Sequence, residues 1–188
     1  MQAAVFLDRD GTIIEDTGYI KSPKEIKFIP GAIEAIKQLQ LAGYKIIIIS
    51  NQAGVARGYY SEDMLQTIDK TVHRLVLHGG AHIDASYYCP HHPEHGVYPY
   101  KQECDCRKPF PGLIKKAEKD LKLDLSRSFM VGDKTTDIEA GQKAGVKTVM
   151  VLTGRGKEEQ NMVANKPNYL ADDLEAAAAW ILKEAKNG

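Results

Sequence analysis

The chain has 188 residues, 43% of them hydrophobic, which is typical of one domain with a full hydrophobic core. Lysine plus arginine and aspartate plus glutamate number 25 each, so the net charge near zero argues against bulk binding to nucleic acid or an acidic membrane surface. No apolar run approaches the ~18–20 residues of a membrane span and no secretion signal begins the chain, so we expect a cytoplasmic protein without nucleic-acid or membrane partners.

The first predicted element is a buried strand over residues 3–7, an apolar run that stops at Asp8. Asp10 lies two positions later, so both carboxylates face the same way if the chain stays extended, and Gly11 allows a sharp turn beyond them. Two acids held at a strand end can act as nucleophile and proton carrier. A solvated loop is the alternative, whereas a calcium loop is excluded because its glycine is the sixth residue and Gly11 is the fourth.

Beyond this motif, strands and helices alternate along the chain. Residues 12–27 predict a polar loop over the first strand end. Hydrophobic periodicity and capping residues predict helices over residues 32–41, 61–78, 112–121 and 136–144, and an alanine-rich helix from residue 172. Apolar and β-branched runs predict strands over residues 44–49, 83–89, 128–131, 147–152 and 169–170. Such alternation requires right-handed crossovers, so we predict an α/β fold with a doubly wound parallel sheet, in a single domain over residues 1–188 without a large cap.

Polar side chains follow three predicted strands where each ends: Asp8 and Asp10, Ser50 and Asn51, and Asp133 and Asp137. In a parallel sheet these residues meet at the carboxyl edge, where ligands bind, and Lys108 can reach the same place. Clustered acids repel one another unless a cation lies among them, and carboxylates with a phosphate are ligands that Mg²⁺ takes. The set indicates phosphoryl transfer with magnesium. The alternatives are a simple turn at Ser50 and a solvated Lys134. For Asp137, a capping or supporting role is favoured over metal ligation.

The segment between residues 90 and 111 has no periodicity, and three cysteines and three histidines concentrate in and beside it. Its cysteines are Cys89, Cys104 and Cys106, and its histidines are His91, His92 and His95. Three thiolates and one imidazole form the ligand set of a closed, tetrahedral zinc site. Buried free cysteines or a redox Cys-x-Cys pair are the alternatives. Zinc would fold a loop, about residues 89–108, that has no core of its own, and would fix the basic residues at its end.

Four motifs together resemble those of the haloacid dehalogenase-like phosphatases: Asp8-Arg-Asp10-Gly-Thr, Ser50-Asn51, Lys108 and Gly132-Asp133-Lys134-Thr-Thr-Asp137. The order of the predicted elements agrees with that superfamily, whose core is Rossmann-like. Within it, three blocks resemble the family of heptose 1,7-bisphosphate phosphatases: Ser-Asn-Gln-Ala-Gly from residue 50, Cys-Pro-His-His-Pro from residue 89 and Cys-x-Cys-Arg-Lys-Pro from residue 104. The resemblance covers about residues 3–155, and the histidinol-phosphate phosphatases are the next most similar family.

The resemblance implies a role for each motif residue. Asp8 attacks phosphorus and becomes a phosphoaspartate, and Asp10 protonates the departing oxygen and then takes a proton from the hydrolytic water. Ser50 and Lys108 hold the phosphoryl oxygens. The implied magnesium ligands are Asp8, Asp133 and the backbone carbonyl of Asp10, and the implied zinc ligands are Cys89, His91, Cys104 and Cys106. The implied substrate contacts are Asp16, Tyr19, Asn51, Gln52, Arg107 and Lys134.

The substrate that the resemblance implies is a small sugar bisphosphate, D-glycero-D-manno-heptose 1,7-bisphosphate, which loses its C7 phosphate during synthesis of nucleotide-activated heptose. Arg107 is the candidate for holding the other phosphate, because a guanidinium matches phosphate oxygens in a fork. The alternatives are histidinol phosphate as substrate, a phosphotransferase such as a mutase, and a non-catalytic domain organised by zinc. We expect a monomer.

Overall fold

The computed structural model describes residues 1–187 and contains a six-stranded, wholly parallel sheet in the order β3-β2-β1-β4-β5-β6. The strands are β1 Ala4–Leu7, β2 Lys45–Asn51, β3 Ala85–Cys89, β4 Phe129–Gly132, β5 Lys147–Val151 and β6 Tyr169–Ala171. The helices are α1 Ala32–Leu41, α2 Glu62–His78, α3 Gly112–Leu121, α4 Thr135–Ala144, α5 Gly156–Glu159 and α6 Leu174–Asn187. The predicted doubly wound parallel sheet is therefore confirmed.

The central strands are buried on both faces, which explains their continuous apolar sequences. Residues 46–49 of β2 are four consecutive isoleucines, and each is at most 1% exposed. Alternate side chains enter opposite layers: Ile46 and Ile48 pack with α1, α2 and α6 residues, while Ile47 and Ile49 pack with α3 and α4 residues. Burying both sets of side chains holds the sheet between two helical layers.

Three local features differ from the prediction. β2 extends to Asn51, because Ser50 and Asn51 pair in register with Tyr88 and Cys89 of β3, so these polar residues belong to the strand and not to a turn. The predicted polar loop contains a short 3₁₀ turn, Pro23–Glu25. The four-residue helix α5 was not predicted, since one turn is too short to show a hydrophobic period.

The topology places the ends of β1, β2 and β4 side by side, since β1 pairs with both of the other strands. The carboxyl edge of the sheet thereby collects the residues that follow each of these strands. In the described part of the chain, the segment between β1 and α1 holds the 3₁₀ turn Pro23–Glu25 and the isolated bridges Asp10–Ile14 and Ile14–Phe28, but no helical cap, as predicted. Among residues 1–187, no helix combines the length and apolarity needed to cross a membrane.

Candidate active site

The centre of the candidate site is an ion pair between Asp8, at the end of β1, and Lys108, which follows the cysteine-rich loop. Asp8 Oδ1 lies 2.7 Å from Lys108 Nζ, and both residues are at most 4% exposed. Lys108 Nζ also donates to the Ile49 carbonyl at 2.7 Å and forms a second ion pair with Asp137, whose Oδ1 is 2.6 Å away. One ammonium thus ties together residues that are distant along the chain.

The charges around Asp8 favour its ionised form. Burial alone would raise the pKa of Asp8, but the ammonium groups of Lys108 and Lys134 outweigh burial and hold that pKa below its ordinary value. For Lys108, burial would lower the pKa, but the carboxylates of Asp137 and Asp8 raise it above its ordinary value. The structure therefore presents an unprotonated carboxylate at the strand end, which is the form that a nucleophilic acid needs.

Asp133 directly follows β4, which pairs with β1, and it is fully buried near Asp8. Its Oδ2 accepts the backbone N–H of Arg155 at 2.9 Å, whereas its Oδ1 has no hydrogen-bond donor. Burial, together with the nearby charge of Asp8, raises the pKa of Asp133 to about 7. A Cβ at Gly11, where φ is +89°, would lie 2.2 Å from Asp133 Oδ2, so only glycine lets this acid approach the first loop.

The ammonium of Lys134 lies among the oxygens that were predicted to bind magnesium. Its Nζ is 3.9 Å from Asp8 Oδ2, 3.7 Å from Asp133 Oδ1 and 3.4 Å from the Asp10 carbonyl oxygen. These three oxygens therefore surround one position that suits a cation, and the buried Asp133 Oδ1 lacks a donor there. Ligand atoms of Asp8, Asp133 and Asp137 also lie within 4.8 Å of one another. The oxygen donors fit a hard divalent cation such as Mg²⁺.

Asp137 has two structural partners in addition to its place in the acid cluster. Its Oδ2 accepts the backbone N–H of Lys134 at 3.0 Å, which caps the first turn of α4, and its Oδ1 faces Lys108. Its side chain is completely buried. These contacts correspond to the capping and supporting role that the sequence favoured over metal ligation.

Asp10 is held from two sides. Arg9, which is only 3% exposed, donates Nε to Asp10 Oδ1 at 3.1 Å and Nη2 to Asp10 Oδ2 at 2.9 Å. Gln52 donates its amide nitrogen to the same Oδ2 at 2.7 Å and to Ser50 Oγ at 2.7 Å. The phenol of Tyr60 donates to the Gln52 carbonyl at 2.7 Å. The candidate proton carrier and the candidate phosphoryl-binding hydroxyl are thus connected through one amide.

Asn51 supports Lys108 instead of facing solvent with a free amide. Its Nδ2 donates to the Lys108 carbonyl at 2.9 Å, and its Oδ1 accepts the Lys108 backbone N–H at 3.0 Å. This paired contact resembles one rung of a sheet ladder and fixes the backbone from which the lysine side chain extends. The geometry therefore favours a positioning role for Asn51 over the predicted substrate contact.

Four of the remaining predicted substrate contacts line a cleft beside Asp10: Asp16, Tyr19, Gln52 and Lys134. Asp16 Oδ2 lies 3.2 Å from Lys134 Nζ at this cleft. Tyr19 is 38% exposed, and its ring packs edge-on against Tyr59 with 4.6 Å between centroids. The residues of this wall include Asp10, Asp16, Tyr19, Asn51, Gln52, Tyr60 and Lys134. The cleft brings together acidic, basic and aromatic groups that suit a polar, phosphorylated ligand.

Four donor atoms cluster at the base of the cysteine-rich loop. The three sulfur–sulfur distances among Cys89, Cys104 and Cys106 are 3.1, 3.2 and 3.5 Å, too long for a disulfide. His91 Nδ1 lies 3.7 Å from Cys89 Sγ and 3.4 Å from Cys106 Sγ. A tetrahedron with metal–sulfur bonds of ~2.3 Å has edges of roughly 3.8 Å, so this cluster is close to the dimensions of a metal site.

The crowding of these thiols also favours a cation. Contact with the Cys89 thiol and burial raise the pKa of Cys106 above its ordinary value, and burial raises the pKa of Cys104 as well. A divalent metal ion would reverse both effects, because it stabilises the thiolates directly. Among the competing histidines, His91 faces the sulfurs, whereas the ring of His92 lies 3.3 Å from Arg57 and 4.4 Å from the ring of His95.

Arg107 lies between the metal-site candidate and Lys108. Its Nη1 donates to the His91 carbonyl at 3.2 Å, which leaves other guanidinium donors available. Arg107 also lines a cavity of about 490 Å³ together with Gln102, Asp105 and Phe110. This cavity is distinct from the cleft beside Asp10, so the structure places Arg107 on the loop next to the site without bringing it into that cleft.

Sequence reasoning missed several residues of the site. No sequence pattern indicated a role for Arg9 or Tyr60, because their roles come from side-chain hydrogen bonds that only the structure shows. Arg9 donates to Asp10, and Tyr60 donates to Gln52. The loop after β5 was also missed: Thr153 Oγ1 donates to the Gly11 carbonyl at 2.6 Å, and Arg155 donates to Asp133. A signal for this loop was present, since it follows a strand end in the same way as the recognised motifs.

Comparison with known proteins identifies chains with the same combination of features. A family model described as haloacid dehalogenase-like hydrolase matches residues 5–101, and one described as HAD-hydrolase-like matches residues 105–177. The D-glycero-beta-D-manno-heptose-1,7-bisphosphate 7-phosphatase of Pasteurella multocida (strain Pm70) is 46% identical over 169 residues, which are 87% of this chain and 91% of the relative. The protein of the same name from Escherichia coli (strain K12) is 39% identical, covering 95% and 87% respectively.

A solved structure is also similar over nearly the whole chain. The crystal structure of D,D-heptose 1,7-bisphosphate phosphatase from B. bronchiseptica, in complex with magnesium and phosphate, superposes with a TM-score of 0.87 at 33% identity. The superposition covers 97% of this chain and 99% of the other. More distant structures, such as the 4-nitrophenylphosphatase from Thermotoga maritima at 16% identity and a TM-score of 0.60, share the fold.

The position of Lys134 generates a prediction about cation binding. In Lys134→Met, the oxygens of Asp8 and Asp133 lose their nearby ammonium, so stability in a chelator should fall by about 1–2 kcal/mol for this partly exposed group. Saturating Mg²⁺ should restore most of that loss, because the cation supplies the missing charge. Thermal unfolding with and without Mg²⁺ measures both effects.

The matched control for this variant is Lys119→Met, which removes an exposed lysine from α3. It should show the same small response to Mg²⁺ as the unmodified protein. If Lys134→Met is destabilised equally in chelator and in Mg²⁺, the lysine does not share a position with the cation.

Proposed function

The chain belongs to the haloacid dehalogenase-like hydrolases, and we propose that it is a phosphatase that removes the C7 phosphate of D-glycero-D-manno-heptose 1,7-bisphosphate. The observation that carries the proposal is the buried, ionised Asp8 beside Lys108 at the carboxyl edge of the sheet. The similarity to relatives of that name, at 46% and 39% identity over most of the chain, supports the substrate. None of the relatives described above favours histidinol phosphate.

The first chemical step uses the geometry around Asp8. A carboxylate oxygen of Asp8 forms a bond to phosphorus while the bond between phosphorus and the C7 oxygen breaks, and Asp10 gives its proton to the departing oxygen. Lys108 neutralises negative charge beside the attacking group, and the Ser50 hydroxyl donates to a phosphoryl oxygen. The products of this step are the sugar alcohol and a phosphoaspartate.

The second step restores Asp8. Asp10, now a carboxylate, takes a proton from a water molecule as the water oxygen attacks phosphorus, and the bond between phosphorus and the Asp8 oxygen breaks. Inorganic phosphate leaves, and Asp10 again carries a proton. Splitting hydrolysis into two steps is useful because uncatalysed hydrolysis of a phosphate monoester is among the slowest of biological reactions.

Two metal ions complete the proposal. Asp8, Asp133 and the Asp10 carbonyl would hold Mg²⁺, which neutralises charge on the transferring phosphoryl group when bound. Cys89, His91, Cys104 and Cys106 would hold zinc, since thiolate and imidazole donors in a closed tetrahedral set suit that metal. The zinc site is structural, because all four positions are protein ligands, and it fixes the backbone two residues before Lys108.

The nucleophile can be tested directly. In Asp8→Asn, the amide cannot attack phosphorus, so turnover and phosphoenzyme should both disappear, with steady-state activity lowered by at least about 10³-fold. In Asp10→Asn, formation and hydrolysis of the intermediate should both slow, while Mg²⁺ binding should persist because the backbone carbonyl remains. Phosphate-release kinetics and acid-quench trapping check both variants. Near-normal turnover in Asp8→Asn would contradict the mechanism.

The zinc assignment predicts one zinc ion per chain and selects one histidine. Cys104→Ser and His91→Ala should lose the metal and lower activity through disorder of the loop that carries Lys108. His95→Ala is the matched control, because His95 contacts His92 and not the sulfurs, and should keep one zinc. Metal analysis of proteins purified without chelators makes the comparison. Zinc lost from His95→Ala but retained by His91→Ala would reverse the assignment.

The role of Arg107 can be tested by comparing substrates. If Arg107 holds the second phosphate, Arg107→Ala should lower kcat/KM on the bisphosphate by roughly tenfold to a hundredfold, from the loss of about 1.5–3 kcal/mol of charge-assisted hydrogen bonding. A heptose 7-phosphate, which lacks this phosphate, should be affected much less. Histidinol phosphate should be a poor substrate of the unmodified protein, because its ammonium faces the guanidinium. Equal losses on all three substrates would contradict this role.

A further inference from the structure

The Gln52 side chain uses its polar atoms within the protein. It is 3% exposed, and its two amide hydrogens go to Asp10 and to Ser50. Its carbonyl oxygen accepts from the phenol of Tyr60. An amide has only two N–H donors, so this side chain has no hydrogen left for a substrate. Its position at the cleft wall therefore calls for a role other than direct binding.

Asp10 determines which way the Gln52 amide faces, and Tyr60 holds the other end of that amide. A carboxylate only accepts hydrogen bonds, so the amide nitrogen must face Asp10 and the amide oxygen must face Tyr60. The Tyr60 hydroxyl then has to donate, and the ring that carries it packs tightly on Gly54, where a Cβ would lie 2.4 Å from the ring. Packing of the ring thus fixes the hydroxyl, and the hydroxyl fixes the amide.

The contacts of Asp10 are unequal between its two oxygens. Oδ2 accepts from Arg9 at 2.9 Å and from Gln52 at 2.7 Å, whereas Oδ1 accepts only from Arg9 Nε at 3.1 Å. The carboxyl group is therefore anchored through Oδ2, and Oδ1 is the oxygen with the freer lone pair. The side chain is 17% exposed and lines the cleft, so Oδ1 can reach a ligand there.

The bond from Gln52 to Ser50 has a second consequence. Because the amide donates to Ser50 Oγ, it occupies one lone pair of that oxygen and leaves the hydroxyl hydrogen free to donate. One amide thus contacts both the hydroxyl of Ser50 and the carboxyl group of Asp10.

We propose that Gln52, oriented by Tyr60, is a positioning residue that holds Asp10 so that its Oδ1 exchanges the proton with the C7 oxygen. The inference rests on the proposed function, in which Asp10 protonates the departing oxygen. In that step the bond between phosphorus and the C7 oxygen breaks, the Asp8–phosphorus bond forms, and the proton moves from Asp10 to the C7 oxygen. Loss of the amide leaves Asp10 chemically intact but free to rotate away from that oxygen.

The proposal predicts a dependence on the leaving group. An alkoxide leaves poorly without a proton, whereas p-nitrophenolate leaves without one, so faulty placement of Asp10 harms only the first kind of substrate. The experiment measures first-turnover release of alcohol from heptose bisphosphate and from glycerol phosphate, and of nitrophenol from p-nitrophenyl phosphate. First-turnover rates isolate phosphoenzyme formation from the later hydrolysis, in which Asp10 also takes part.

Two variants and one control are compared with the unmodified protein. Gln52→Leu should slow alcohol release by about 30–100-fold and nitrophenol release by less than about 3-fold, because misplacing the acid costs less than the 10²–10⁴-fold expected when general acid catalysis is lost completely. Tyr60→Phe, which keeps the ring and loses only the hydroxyl, should slow alcohol release by about 3–10-fold with nitrophenol release unchanged. Tyr87→Phe removes a hydroxyl that bonds Asp120 outside this network, and should change neither rate. Thermal unfolding establishes that all three proteins are folded.

Equal slowing of both leaving groups by Gln52→Leu overturns the proposal, because the amide would then act through Ser50 or through general packing. Unchanged alcohol release in both variants overturns it as well. These outcomes are separate from failure of the proposed substrate: an unmodified protein that releases glycerol from glycerol phosphate but leaves the heptose bisphosphate intact contradicts the substrate and still permits the leaving-group comparison.

Discussion

The structure depends on one buried ammonium group. Lys108 is 3% exposed, and a buried charge without partners would cost several kcal/mol, so its three partners have to be in place for the chain to fold as it does. Its ammonium donates to Asp8 after β1 and to Ile49 in β2, and it pairs in charge with Asp137 in α4. The lysine therefore joins three neighbouring parts of the sheet edge at the point where catalysis is proposed.

Holding Lys108 beside Asp8 requires an ordered backbone, although the segment before Lys108 has no hydrophobic core of its own. Two features supply the order. The amide of Asn51 holds the Lys108 backbone on both sides, and the cluster that includes Cys106 lies two residues earlier. Without a metal ion, the thiols of that cluster oppose one another; with one, they become ligands and restrain the loop. The proposed structural zinc and the proposed catalytic lysine are thus parts of the same arrangement.

The end of β2 positions three polar side chains of the candidate site. Ser50, Asn51 and Gln52 are consecutive, and successive residues of a strand point to opposite sides. Ser50 and Gln52 accordingly lie together beside Asp10, while Asn51 faces Lys108. Pairing with β3 extends the strand this far, and rigid placement on a sheet is more accurate than placement on a free loop. The ionised Asp8, which is the proposed nucleophile, lies close by with Lys108 and Lys134 beside its two oxygens.

The amino-acid sequence by itself determined the parallel sheet, the strand-end acids and the Cys₃His cluster, because these depend on apolar runs, glycine turns and clustered ligand types that are local along the chain. It also indicated the supporting role of Asp137. Only the tertiary structure showed that the amides of Asn51 and Gln52 bond Lys108 and Asp10, and that Lys134 lies among the oxygens proposed to bind magnesium. It also showed that Arg9, Tyr60 and the loop after β5 belong to the candidate site. The physical reason is that the role of a polar side chain depends on its hydrogen-bond and ion-pair partners. Here most of those partners lie in other segments of the chain, which meet only when the sheet forms.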